Sequence, residues 1–162
     1  MSITFNANEV FEMAEEFERN GARFYRKAAG YFKDEGKCKL LEELALMEDG
    51  HLATFQEMRE QLKAQEKETT TFDPDNEAGM YLRAMADGHV FDTSADPCDF
   101  LTGDETMTEI FKKALLCEKD SVVFYLGIKD MVSDTGGKDK VEAIIREEMG
   151  HISLLNKHLA EL

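Results

Sequence analysis

Residues 48–51 read Glu-Asp-Gly-His, and residues 148–151 read Glu-Met-Gly-His. On a helix, Glu-x-x-His spacing puts a carboxylate and an imidazole on one face. A single copy carries little weight in a chain with 34 acidic residues among 162. Here the motif occurs twice, offset by 100 residues. Each copy has a glutamate 30 residues before it (Glu18 and Glu118), and a tyrosine follows that glutamate by seven residues (Tyr25 and Tyr125).

Working outward, the same offset relates Phe11 to Phe111, Ala14 to Ala114 and Phe24 to Phe124. Leu41, Leu44, Leu52 and Phe55 correspond to Val141, Ile144, Ile152 and Leu155, and Gly36 to Gly136. Any two amphipathic helices share apolar periodicity, so the apolar matches alone prove little. Matched Glu, Tyr, Glu and His at fixed spacing are an internal repeat.

Four long segments carry the three-and-four apolar spacing of a helix face. They run from about Glu9 to Asp34, Lys37 to Glu66, Asp104 to Ser133, and Lys138 to the C-terminus. Asn6 with Glu9 and Thr102 with Glu105 read as start signals, Gly36 and Gly136–Gly137 as breaks. Residues 67–103 hold both prolines, Pro74 and Pro97, and form the least regular part. Within them, Ala78, Tyr81, Leu82 and Met85 share a face, which predicts a short helix over 77–88. The expectation is an all-α fold: one domain, an antiparallel four-helix bundle of two repeated hairpins (1–66 and 104–162). The long crossover, 67–103, lets the second and third segments run parallel.

The helical rows place the repeated polar residues among core positions. Phe11, Glu18, Tyr25 and Phe32 share a row, as do Phe111, Glu118, Tyr125 and Val132. Leu41, Glu48, Phe55 and Leu44, His51, Met58 recur as Val141, Glu148, Leu155 and Ile144, His151, His158. Counted from the first turn at Gly36, Glu18 lies about 18 residues back and Glu48/His51 about 12 to 15 forward. At ~1.5 Å per residue the levels differ by about one turn. Four carboxylates and two imidazoles therefore meet at mid-bundle.

Four buried carboxylates without compensation are very costly. Two divalent cations match their charge. Oxygen and imidazole donors suit iron or manganese, with zinc possible, and the lack of cysteine ligands disfavours a structural zinc site. A Glu and a Glu-x-x-His from each helix pair is the donor set of carboxylate-bridged di-metal bundles.

The phrases GARFYRKAAG, LALMEDGHLATF and EEMGHISLL resemble the helix signatures of the ferritin-like superfamily, and of rubrerythrins within it. The stretch MYLRAMADGHVF resembles stand-alone rubrerythrin-related proteins without a rubredoxin domain. The resemblance covers nearly the whole chain. It implies two irons, with Glu18 and His51 terminal on one, Glu118 and His151 terminal on the other, and Glu48 and Glu148 bridging both. It implies that Tyr25 and Tyr125 hydrogen-bond ligand carboxylates. Rubrerythrins carry a further carboxylate one turn after the third-helix glutamate, where this chain has Ser121. That leaves a symmetric six-ligand set like that of bacterioferritins. The implied activity is reduction of hydrogen peroxide or dioxygen in oxidative-stress defence, with ferroxidase or iron-binding work, or non-enzymatic di-metal binding, as alternatives. Electrons would come from a separate carrier such as a rubredoxin, and a homodimer is expected.

The bulk numbers fit. A net charge of −15 argues against nucleic acid or anionic membranes as main partners. No segment is apolar for the ~20 residues a bilayer requires, and the N-terminus lacks a basic leader region, so a cytoplasmic protein is expected. Three cysteines (38, 98 and 117) form no CxxC pair, which excludes a rubredoxin-type site and gives no disulfide framework. Cys38 and Cys117 read as packing residues, His158 as an end-of-bundle residue, His89 as exposed, and Glu15 and Glu147 as surface.

Overall fold

The computed structural model describes residues 7–62, 80–81, 97–132 and 137–162. Among them stand four α-helices, α1 (Ala7–Ala29), α2 (Glu35–Glu60), α3 (Met107–Lys129) and α4 (Lys138–Ala160), with a 3-10 turn at Pro97–Phe100 and no strand. The all-α expectation holds. Most of the crossover, with the short helix expected over 77–88, and the start signal at Asn6 lie outside the described residues, as does His89.

Two helix boundaries differ from expectation. Gly36 does not stop α1. The helix ends at Ala29, and Asp34 caps α2 by accepting from the Lys37 N–H at 2.9 Å, so Gly36 lies in the first turn of α2. Likewise Thr102 and Glu105 do bond, but as a loop clasp: the Glu105 carboxylate accepts from the Thr102 N–H, its hydroxyl and the Gly103 N–H. The cap of α3 is the next such pair, a capping box of Thr106 and Glu109. Two overlapping Thr-x-x-Glu patterns compete here, and the one next to the apolar run starts the helix. Gly137, with φ of 101°, turns the chain into α4, in the left-handed region that favours glycine.

Contacts set the directions. Glu12, Glu15, Glu18 and Arg26 of α1 meet Arg59, His51 and Asp49 of α2 in descending order. Glu18 and Tyr25 meet Tyr125 and Glu118 of α3, again in opposite order. Met47 and His51 meet His151 and Glu147 of α4. So α1 is antiparallel to both α2 and α3, which makes α2 and α3 parallel, as the long crossover requires.

The apolar core is split in two. Near one end, Phe11, Phe55, Met58, Phe124, Ile128 and Ile144 pack together; near the other, Phe24, Leu41, Leu44, Ile110, Phe111 and Leu155 do so. Repeat-related residues fall in opposite clusters: Phe11 and Phe55 in one, Phe111 and Leu155 in the other. That is the signature of a pseudo-twofold axis through the middle. The 3-10 turn closes the second cluster, burying Cys98 and Leu101, and the Lys27 ammonium and Tyr31 hydroxyl donate to the Cys98 and Leu101 carbonyls.

Candidate metal centre

Between the two clusters lies a layer of buried polar side chains: Glu18, Glu48, His51, Glu118, Glu148 and His151, none more than 5% exposed. The structure brings all six sequence-predicted residues together. They form two groups of four, Glu18, Glu48, His51 and Glu148, and Glu48, Glu118, Glu148 and His151. Within each group one donor atom per residue lies within 4.8 Å of all the others. Glu48 and Glu148 belong to both.

Glu148 lies between the two imidazoles. Its Oε1 is 3.2 Å from His51 Nδ1 and its Oε2 is 2.9 Å from His151 Nδ1. His51 Nδ1 also lies 3.4 Å from Glu18, and His151 Nδ1 lies 3.3 Å from Glu48 and 3.4 Å from Glu118. The imidazole rings stack with centroids 5.6 Å apart. Both Nδ1 atoms, both Glu148 oxygens, and one oxygen each of Glu18 and Glu48 are buried with no well-formed hydrogen bond. Buried polar atoms are seldom orphaned. Six of them converging on two points, all hard oxygen or imidazole donors, fit a pair of metal ions.

Electrostatics agree. Burial, then the charges of Glu48 and Glu148, push Glu18 well above the usual carboxylate range. Burial also raises Glu148, against the pull of the neighbouring His151 and His51 imidazoles. For the histidines, burial acts downward, but contacts with Glu148, Glu18, Glu118 and Glu48 overcome it, holding His51 at about 11 and His151 at about 12. Protons on these groups would offset the carboxylate charge whenever no cation is bound.

The tyrosines pair crosswise. The Tyr25 hydroxyl donates to Glu118 and the Tyr125 hydroxyl to Glu18. Each bond therefore joins the two hairpins rather than running along one helix row. Burial and the neighbouring carboxylates hold both phenols well above their ordinary pKa, so they remain protonated donors. Gly21, one turn from Glu18, makes room for the layer: a Cβ there would stand 3.0 Å from Glu48 Oε2. Its repeat partner, Ser121, turns its hydroxyl back to the Cys117 carbonyl at 3.1 Å.

One sequence reading needs correction, and a second gains a contact. Glu15 is not a surface residue: it is 2% exposed and paired with Arg59, with Nε 2.6 Å from Oε1. Glu147 does keep its flank in solvent, yet its Oε2 lies 3.0 Å from His51 Nε2. Its signal in the sequence is the four-residue spacing to His151, which puts it on the histidine row. That it reaches the histidine of the other hairpin follows only from the antiparallel register of α2 and α4. On the opposite side, His151 Nε2 meets Met47 Sδ at 3.1 Å.

A bundle of two antiparallel hairpins, with a buried glutamate and histidine layer between two apolar cores, is the ferritin-like fold with a cluster consistent with a di-iron site. The chain is similar to a Thermotoga maritima protein described as a candidate ferritin-like diiron-carboxylate protein, with a TM-score of 0.77, 26% identity, and coverage of 98% of this chain and 97% of that one. No protein-family model and no curated protein matches the sequence.

Proposed function

We propose that this chain is a di-iron oxidoreductase of rubrerythrin type that reduces hydrogen peroxide or dioxygen. The carrying observation is that Glu48 and Glu148 are shared by both four-residue groups, the arrangement two bridged ions require. Glu18 and His51 would complete one position, Glu118 and His151 the other. A ferrous pair held there supplies two electrons and Lewis-acid stabilisation of the charge that develops on the reduced oxygen. Tyr25 and Tyr125 fix the terminal carboxylates and keep their protons. The apolar clusters on either side exclude bulk water and favour a small neutral oxidant over a charged one.

The three cysteines form no CxxC pair, so an external donor such as a rubredoxin would return electrons. The surroundings proposed are cytoplasmic, and the chain is proposed to act as a homodimer. No helix among the described residues is long and apolar enough to cross a membrane. Anaerobic mixing of the ferrous protein with peroxide, and separately with dioxygen, tests the reading. Oxidation should far outpace that of free Fe(II), with peroxide the faster oxidant; equal rates with and without protein overturn it.

One observation favours a second reading, an iron-binding or ferroxidase role. Ser121 back-bonds to its own helix and adds no seventh donor. Faster reaction with dioxygen than with peroxide, and release of ferric product, would mark that role. Stable binding of zinc or manganese without turnover would mark a non-enzymatic metal domain.

A further inference from the structure

The six proposed ligands obey the repeat, but the residues behind them do not. Each histidine turns Nδ1 toward the carboxylates and Nε2 away, so a metal on Nδ1 leaves Nε2 as the N–H that must donate outward. Behind His51 that donor finds the Glu147 carboxylate at 3.0 Å. Behind His151 it finds the Met47 thioether at 3.1 Å. Positions 47 and 147 are repeat partners immediately before the motif glutamates, and only one of them is acidic.

A carboxylate accepting from the far nitrogen pins the ring and makes the near nitrogen a better donor to a cation. A thioether is a weak acceptor and does neither well. Met47 is 37% exposed and Glu147 more so, so both partners can be exchanged without opening a core.

We infer that the two metal positions are unequal because of this pair: the His51 side, backed by Glu147, binds first and tightly, and the His151 side, backed by Met47, binds second and exchanges readily. Met47 and Glu147 are thus positioning residues that give a duplicated ligand set an order of filling. The inference rests on the di-metal reading above.

The test is anaerobic titration of the intact protein with Co(II), read by its ligand-field absorption. Two steps should appear, separated by about tenfold or more in affinity, the lower end of what an outer hydrogen-bond partner contributes. His151→Ala should abolish the weaker step and leave the tight one, and His51→Ala the reverse. Glu147→Met should weaken the tight step about tenfold and bring the two together. Met47→Glu should strengthen the weaker step and also bring them together. Circular dichroism of each variant reports whether the bundle stays folded, and the two exposed exchanges at 47 and 147 are the decisive pair. Two equal steps that neither exchange moves overturn the inequality while leaving the di-metal site standing. Binding of one Co(II) or none by the unaltered protein overturns the di-metal reading and the inequality with it.

Discussion

Gly21 shows how one residue can serve the site at the expense of the helix that carries it. Glycine inside a helix costs about 0.5–1 kcal/mol relative to alanine. The space it leaves is taken by the Glu48 carboxylate, 3.0 Å from where a Cβ would stand. Gly21→Ala should therefore leave the metal-free protein as resistant to urea as before, or slightly more so. Metal affinity should fall about tenfold, since Glu48 must retreat by a few tenths of an ångström from two positions at once. Equilibrium unfolding and metal titration on one preparation check both halves. At this scale the sequence was highly legible for the buried polar layer: Glu18, Glu48, His51 and their partners are carboxylates and imidazoles on rows otherwise apolar. It was poorly legible for supports. Nothing in the chain marks Gly21 as space for a neighbour, or Met47 and Glu147 as facing histidines 104 and 96 residues away.

Among the elements, the two hairpins share a plan but not all its solutions. Glu15 and Arg59 bridge α1 and α2. Their repeat partners are Leu115, which is buried, and Leu159, which packs against the same cluster. One hairpin uses an ion pair where the other uses hydrocarbon, so a direct exchange is available. Removing one member of a buried pair strands the other, whereas replacing both with apolar residues is often neutral or stabilising. Arg59→Leu strands the fully buried Glu15 and should cost about 3 kcal/mol. Glu15→Leu strands Arg59, whose side chain is 32% exposed and lies 3.9 Å from Glu12, so the loss should be about 1 kcal/mol. The double replacement should come within about 1 kcal/mol of the unaltered protein, on either side. Urea unfolding of the three variants measures the cycle. The segments themselves were readable from periodicity. Their ends were not, because Thr102/Glu105 and Thr106/Glu109 present the same pattern four residues apart, and only packing decides between them.

For the whole molecule, the polar layer governs stability because it parts the core into two. Without metal its charge is balanced by protons on groups held far above their ordinary pKa, the two histidines at about 11 and about 12. Those protons must leave for the imidazoles to bind metal. For the metal-free fold the sign is that of any raised histidine: the stabilisation is complete below about pH 6.5 and fades as pH rises toward 11. For the metal complex it is the reverse, and apparent affinity should climb from pH 6 to pH 8. Loading at pH 7 in dilute buffer should release about two protons per protein, readable with an indicator dye. Metal at 100 times the dissociation constant of a position should add about 2.7 kcal/mol of stability for that position, seen as a higher melting temperature that chelator reverses. The overall topology was legible because the repeat forces it, two like hairpins with a long connection between them. The split core was legible only as rows interrupted at one level; that residues on either side of the interruption form separate clusters is a property of the assembled bundle.

The crosswise tyrosine bonds carry one more implication. Glu18 takes its phenol from the other hairpin, as does Glu118, and His51 and His151 each lean on an acid from across the bundle. A lone hairpin thus supplies three donors to one position and a single donor to the other, yet two identical hairpins about a true twofold axis would complete both. Such a symmetric pair would be bound to change in step, each substitution appearing on both sides of the axis. Joined in one chain, the halves are released from that lockstep. Where the halves differ, at 15 and 115, 59 and 159, and 47 and 147, the single chain is lopsided in a way that a symmetric pair of hairpins cannot be.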